Sequence, residues 1–177
     1  MVTALLNAVM ERRARQLMAM VGDWLPSGGP VLDLGSGTGH LASRLEREMG
    51  IAVVTADVSD IHIAGPPPIL IADGRLPFAD DSFSAALLCF ILAYPEDPAT
   101  VLAEVARVTS GPIIVVQTVR ANRAGHLWLR GREFLWTIVA FHGAKLLGYV
   151  PPEAQFAMRT RRFYTERALQ RDAVAAG

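Results

Sequence analysis

Three aspartates and one run of alternating glycines are the residues of this chain whose types and spacing could do chemistry. Asp33 stands two residues before Gly35-Ser36-Gly37-Thr38-Gly39, Asp57 follows Gly35 by 22 residues, and Asp73 is followed directly by Gly74. Gly35, Gly37 and Gly39 carry no Cβ, so the backbone can turn tightly and a ligand can lie against main-chain N–H groups at the positive end of a following helix. A nucleotide-like ligand suits such a turn, and a purely structural tight turn is the plain alternative.

The acids narrow the ligand. A pyrophosphate at the helix end would be repelled by a carboxylate beside it in a partly dry pocket, so Asp33 disfavours a dinucleotide and suits a ligand carrying an ammonium group. The alternative for Asp33 is a side chain that only accepts backbone hydrogen bonds in the turn. Asp57 is placed to accept both hydroxyls of a ribose, or else to cap whatever follows its strand. Asp73 with the neighbouring backbone N–H can meet the edge of an adenine, or else forms an ordinary Asp-Gly turn.

These residues need a scaffold that brings them to one edge. Helical spacing of Leu5, Leu6, Val9, Leu17, Met18 and Val21 predicts an amphipathic helix over 3–21, ended by Pro26-Ser27-Gly28-Gly29. Pro30 to Leu34 reads as a first strand, His40 to Met49 as a helix stopped by Gly50, and Ile51 to Ala56 as a second strand ending at Asp57. After Gly65-Pro66-Pro67-Pro68 come a short third strand, Ile69 to Ala72, a loop over 76–81, and a fourth strand, Phe83 to Ile91. A helix over 98–108 and a fifth strand, Ile113 to Val119, follow. Apolar strands alternating with helices predict an α/β doubly wound, mostly parallel sheet, whose ligands bind at the carboxyl ends of the strands. Further on, 127–147 reads as helical and rich in large apolar residues, and 165–175 as a last helix.

Val31-Leu32-Asp33-Leu34-Gly35-Ser36-Gly37-Thr38-Gly39 resembles the first motif of class I S-adenosylmethionine-dependent methyltransferases. Ala72-Asp73-Gly74-Arg75-Leu76-Pro77-Phe78, Asp80-Asp81-Ser82-Phe83 and Glu104-Val105-Ala106-Arg107-Val108 are similar in order and spacing to the small-molecule branch, methyltransferase type 11, which includes ubiquinone and menaquinone biosynthesis enzymes. The resemblance covers about residues 25–118. It implies a Rossmann-like sheet in the order 3-2-1-4-5 and S-adenosylmethionine as cofactor. In that reading Asp33, Gly35, Ser36, Gly37 and Gly39 hold the methionine end, Asp57 and Val58 the ribose side, and Asp73 with Gly74 the adenine. Cys89 to Tyr94 then face the methyl group and a small, apolar or aromatic acceptor, with Tyr94 the one candidate for a catalytic role.

Three departures stand out. Ser84 replaces an Asp common in the family, and Ala93-Tyr94 stands where many members carry a His pair, so that stretch holds no general base. Methyl transfer from a sulfonium can proceed by holding donor and acceptor in line, which keeps the enzyme reading beside that of a non-catalytic relative. Phe163-Tyr164-Thr165-Glu166-Arg167-Ala168-Leu169 resembles the family's last helix, which implies that the final antiparallel strand pair is missing. A homodimer or another partner chain would then be expected to cover the sheet edge beside strand five.

Bulk properties agree with one domain over 1–177: an N-terminal helix within 1–24, a cofactor-binding core over 25–118 and a helical substrate-side segment over 119–177. The 177 residues are 51% hydrophobic and 19% charged, enough for a single core. Net charge is +0, which excludes a general electrostatic footprint for nucleic acid. Residues 1–117 carry seven Arg and thirteen acids, whereas 118–177 carry nine Arg, one Lys and four acids. That basic end surrounds Trp128, Trp136 and Phe141, and reads as a solvated face, a lid over a lipophilic acceptor, or a peripheral membrane contact. No stretch is apolar enough for a transmembrane span, the first 21 residues lack a signal-peptide pattern, and the lone Cys89 suits a reducing, cytoplasmic setting. No metal site is expected.

Overall fold

The computed structural model describes residues 2–72, 74–119 and 160–175. Helix α1 (Val2–Val21) leads through a short 3-10 turn into β1 (Val31–Leu34), α2 (His40–Met49) and β2 (Val53–Asp57). Then come β3 (Ile69–Leu70), β4 (Ala85–Cys89), α3 (Pro98–Val108), β5 (Ile113–Val116) and α4 (Glu166–Ala175). The strands make one parallel sheet in the order β3-β2-β1-β4-β5. The α/β doubly wound reading and the strand order are thus observed.

Alternation along the strands divides the core into two layers. Leu32, Leu34, Ala86 and Leu88 pack with Leu102, Val105 and Val108 of α3 and with Ala168 and Leu169 of α4. Val31, Ala85 and Leu87 face the other way, against Leu17 and Val21 of α1 and Leu41 and Leu45 of α2. Asp33 falls between Leu32 and Leu34 and so belongs to the α1/α2 side, opposite Thr55 of β2 and Leu87 of β4. The sheet therefore carries one carboxylate at a position that pattern alone would fill with an aliphatic side chain. Sequential strands lie on opposite sides of β1, so the crevice between the carboxyl ends of β1 and β4 is the topological switch point.

Local chemistry sets the element ends. Gly50, in the left-handed region at φ 67°, closes α2 with its N–H on Glu46 O. Asp97 caps α3, accepting from Ala99 N at 3.0 Å and from Thr100 Oγ1 at 2.8 Å, with Pro98 in the first turn. β2 begins at Val53 rather than Ile51 and β5 stops at Val116 rather than Val119, and two further strands are shorter than their apolar runs. β3 pairs over two residues because it emerges from three prolines that lack N–H donors. β4 begins after Ser84, whose N–H turns to Pro30 O, and stops at Phe90, whose φ of 64° no strand tolerates. In α1 the sequence spacing held only for the C-terminal half: Leu17 and Val21 are buried, while Leu5 is 68% and Val9 50% exposed.

Two arginine clasps hold the layers. Arg44 of α2 reaches Glu11 of α1 at 3.0 Å and also pairs with Glu48, docking α1 onto α2. Arg107 of α3 donates to Phe78 O at 2.9 Å and Leu76 O at 3.1 Å and bridges Asp80 and Glu104, while Glu104 accepts from Leu76 N. The loop after β3 is thereby fastened to α3, and the Glu104 carboxyl is pulled down to about 2 by its hydrogen bonds with Arg107 and Leu76 N.

No helix among the described residues is long and apolar enough to cross a membrane. The segment expected to be helical over 127–147, with Trp128, Trp136 and Phe141, lies outside the described residues, as does Asp73.

Leu45→Ala, in the layer between α2 and the sheet, should cost about 3 kcal/mol in urea unfolding. Leu70→Ala, at a β3 position 60% exposed, should stay within about 0.5 kcal/mol of the parent.

Candidate functional site

The glycine turn leaves β1 with Gly35 N–H on Ala56 O at 2.7 Å, then enters α2 at Gly39. Gly35, Gly37 and Gly39 have φ of 71°, 56° and 77°. Two of these glycines matter for different reasons. A Cβ on Gly37 would meet nothing within 4 Å, so the space in front of it is free for a ligand. A Cβ on Gly39 would collide with Ala64 O, because the loop after β2 folds back over the turn.

That fold-back is a hydrogen-bonded clasp. Ile63 N–H and Ala64 N–H both donate to Thr38 O, at 3.0 and 3.1 Å. The His62 ring lies between Pro66 O, which can only accept from Nδ1–H, and Ser36, whose hydroxyl therefore donates to Nε2 at 2.8 Å. Ser36 thus spends its side chain on the clasp, leaving its backbone to line the site.

Two cavities open at this edge and share Arg13, Gly35, Gly37, Ile61, Cys89 and Phe90. The smaller, about 190 Å³, lies beneath α1 and contains Asp33 and Ser36. The larger, about 590 Å³, extends past Asp57 and Val58 to Ile71, Ile91, Tyr94 and Val101. Together they form a concave site with mostly apolar walls and a few polar groups.

Asp33 is the unusual group. It is 2% exposed, and its Oδ2 has no hydrogen-bond partner among the described residues. Burial first, and then the charge of Asp57, push its carboxyl up from 3.8 to about 7. A cation placed in the smaller cavity would supply what this carboxylate lacks, so the donor set fits an ammonium-bearing ligand. Asp57, also buried, accepts from Gly37 N–H at 2.8 Å and Ser59 N–H at 3.3 Å. Each oxygen keeps a second lone pair, so a ribose diol remains within its capacity.

Of the residues picked out in sequence, Asp33, Gly35, Ser36, Gly37, Asp57, Val58, Cys89 and Tyr94 line the cavities. Gly39 and Gly74 do not: Gly39 caps α2 under the loop, and Gly74, at φ 71°, donates its N–H to Ala72 O. Cys89 ends β4 with its thiol pushed up to about 12 by burial and by Asp33, against the opposing pull of Arg13. It is a neutral wall rather than a nucleophile. Ser84 needs correcting. Its hydroxyl donates to Pro30 O at 3.0 Å at the amino end of the strand, the far end from the site, so an acid missing there has no bearing on chemistry at the carboxyl edge. Arg13 and His62 went unread: one belongs to a helix 20 residues before Asp33, the other to a loop without a recognisable pattern.

A methyltransferase-domain family profile matches residues 32–112. The chain is 35% identical over 119 residues to the ubiquinone/menaquinone biosynthesis C-methyltransferase UbiE of Desulfotalea psychrophila, covering 59% of this chain and 48% of that protein. An uncharacterized methyltransferase of Mycobacterium bovis is 31% identical over 170 residues, covering 80% of this chain and 68% of its own length. The chain spans about half the length of several of the curated relatives it matches. Among solved structures, an S-adenosylmethionine-dependent methyltransferase of Thermotoga maritima superposes with a TM-score of 0.60 at 20% identity, covering 100% of this chain and 77% of that one, a likeness of fold.

The Asp33 carboxyl, raised from 3.8 to about 7, keeps its proton in the folded protein where the unfolded chain has lost it. Stability of the ligand-free protein should therefore fall as pH rises from about 4 through about 7, by an amount on the order of 2–4 kcal/mol. Urea unfolding across that range should show the slope in the parent and a flatter profile in Asp33→Asn.

Proposed function

The chain belongs to the class I S-adenosylmethionine-dependent methyltransferases, and from that premise we propose that it transfers the cofactor's methyl group to a small, apolar or aromatic acceptor. The observation that carries this reading is the buried Asp33 carboxylate, with an oxygen unpartnered among the described residues, beside a glycine turn that is open in front of Gly37.

When bound, the cofactor supplies a sulfonium-activated methyl group. The protein's part is to hold and to exclude. Asp33 binds the ammonium, Gly37 lets the ligand lie against backbone, and Gly35 makes room for Ile91. Asp57 takes the ribose hydroxyls, with Val58 beside it, and Asp73-Gly74 is assigned to the adenine. Cys89, Phe90, Ile91 and Tyr94 then enclose the methyl group and the acceptor, in apolar walls that keep water from competing. Tyr94, on the wall of the same cavity, is the candidate for a catalytic role there.

Among the described residues, the larger cavity shows no imidazole, its one carboxylate is the Asp57 given to the ribose, and Arg161 also lines it. That favours acceptors that need no strong base, and it supports a second reading in which the cofactor is bound without turnover. The neutral Cys89 thiol suits a reducing cytoplasm, where we place the protein. Met20 and Trp24, exposed beside β5, mark where a second copy or another chain would sit.

Calorimetry with S-adenosylmethionine tests the proposal. The parent should bind, and Asp57→Ala should bind about 10- to 100-fold more weakly through loss of hydrogen bonds from a charged acceptor. No binding to the parent would end the cofactor reading. Binding with no turnover on any apolar or aromatic acceptor would select the second.

A further inference from the structure

Arg161 lines the part of the larger cavity that the smaller one does not share, together with Tyr94, Pro95 and Val101. It lies outside residues 32–112, the span that the methyltransferase-domain profile matches, so the cofactor motifs do not account for it. The segment that carries it is fastened to the loop after β4. Arg161 N–H and Arg162 N–H both donate to Ala93 O, at 2.8 and 3.1 Å, and the Arg162 side chain donates to Glu96 O at 2.9 Å. Further along, Tyr164 is buried in the layer against α3 and bridges to Val119. Main-chain bonds on one side and a buried ring on the other thus hold Arg161 at the cavity.

The charges around it leave an anion wanting. Asp57, the one carboxylate that lines this cavity among the described residues, is given to the ribose, and Arg13, the other cation, stands over Phe90 at 4.7 Å. The methyl donor is itself a sulfonium cation. Among the described residues, Glu96 is the ion-pair partner of Arg161, with Nη1 to Oε1 at 2.7 Å. The two side chains are 54% and 78% exposed, so water screens the pair and it holds weakly. A ligand carboxylate arriving between apolar walls meets the same guanidinium in a drier setting, where a two-pronged contact is stronger, and it outcompetes Glu96.

We propose that Arg161 selects the acceptor, and that the acceptor is an apolar or aromatic acid whose carboxylate Arg161 holds. This rests on the methyltransferase reading above and narrows its substrate class. The apolar walls take the body of the molecule, and the guanidinium fork fixes the end of it that carries charge.

Calorimetry on the full chain saturated with S-adenosylhomocysteine tests this, with two matched pairs as probes: trans-cinnamate against cinnamamide, and octanoate against octanamide. The parent should bind at least one acid about tenfold more tightly than its amide. Arg161→Gln should bring the two to within about twofold of each other while keeping its affinity for S-adenosylhomocysteine within about twofold of the parent's, and Arg161→Lys should restore part of the preference. Glu96→Gln, which removes the competing carboxylate, should tighten the acids and leave the amides as they were. A parent that shows no preference for the acids, or binds none of the four probes, overturns the proposal and leaves the cofactor reading intact. So does a preference that survives in Arg161→Gln. A matching loss of S-adenosylhomocysteine binding in that variant overturns it as well, since Arg161 would then be supporting the whole site. A parent that fails to bind S-adenosylhomocysteine overturns the cofactor reading itself, and this inference with it.

Discussion

A carboxylate inside a hydrophobic layer is the constraint around which this structure is arranged. Asp33 occupies a strand position whose neighbours on the same face are Val31 and Leu87, under a helix that seals it from solvent. Burying a charged or even polar group there without a partner is unfavourable, and no described residue partners its Oδ2. Such an arrangement persists where the missing partner comes from outside, and the glycine turn provides the opening.

The rest of the site works to keep that opening shaped. Asp57 anchors Gly37 through its N–H, so the second acid both fixes the turn and raises the electrostatic demand of the first. The His62 clasp presses the loop after β2 onto Thr38, and Arg107 fastens the loop after β3 onto α3. Each clasp replaces a flexible connection with paired polar groups, so the polar ends of the cavity are held by hydrogen bonds while its walls are held by packing.

Legibility in the sequence followed the range of the interaction. Units closed by local chemistry, such as α2 with Gly50 or α3 with Asp97 and Pro98, could be read to within a residue, because cap and stop lie within a few residues of each other. The same holds for the glycine turn and the acids at the ends of β1 and β2. What failed was tertiary. Leu5 and Val9 kept helical spacing but have no sheet beneath them. Phe90 looked like one more strand residue until its positive φ appeared. Ser84 was weighed as part of the chemistry, although strand polarity puts it at the opposite edge. Arg13 carries no signature of its own, and only the packing of α1 over β1 brings it to the cavity.

The central claim is that Asp33 waits, buried and protonated near neutral pH, for a cation. Carbon-13 NMR of the aspartate carboxyls, with Asp33→Asn for assignment, measures this in the ligand-free protein and again with S-adenosylmethionine. The account predicts a resonance titrating near pH 7 when free that moves to lower pH once the ammonium is in place. A free-state titration near the ordinary value of 3.8, or one that the ligand leaves unmoved, would contradict it.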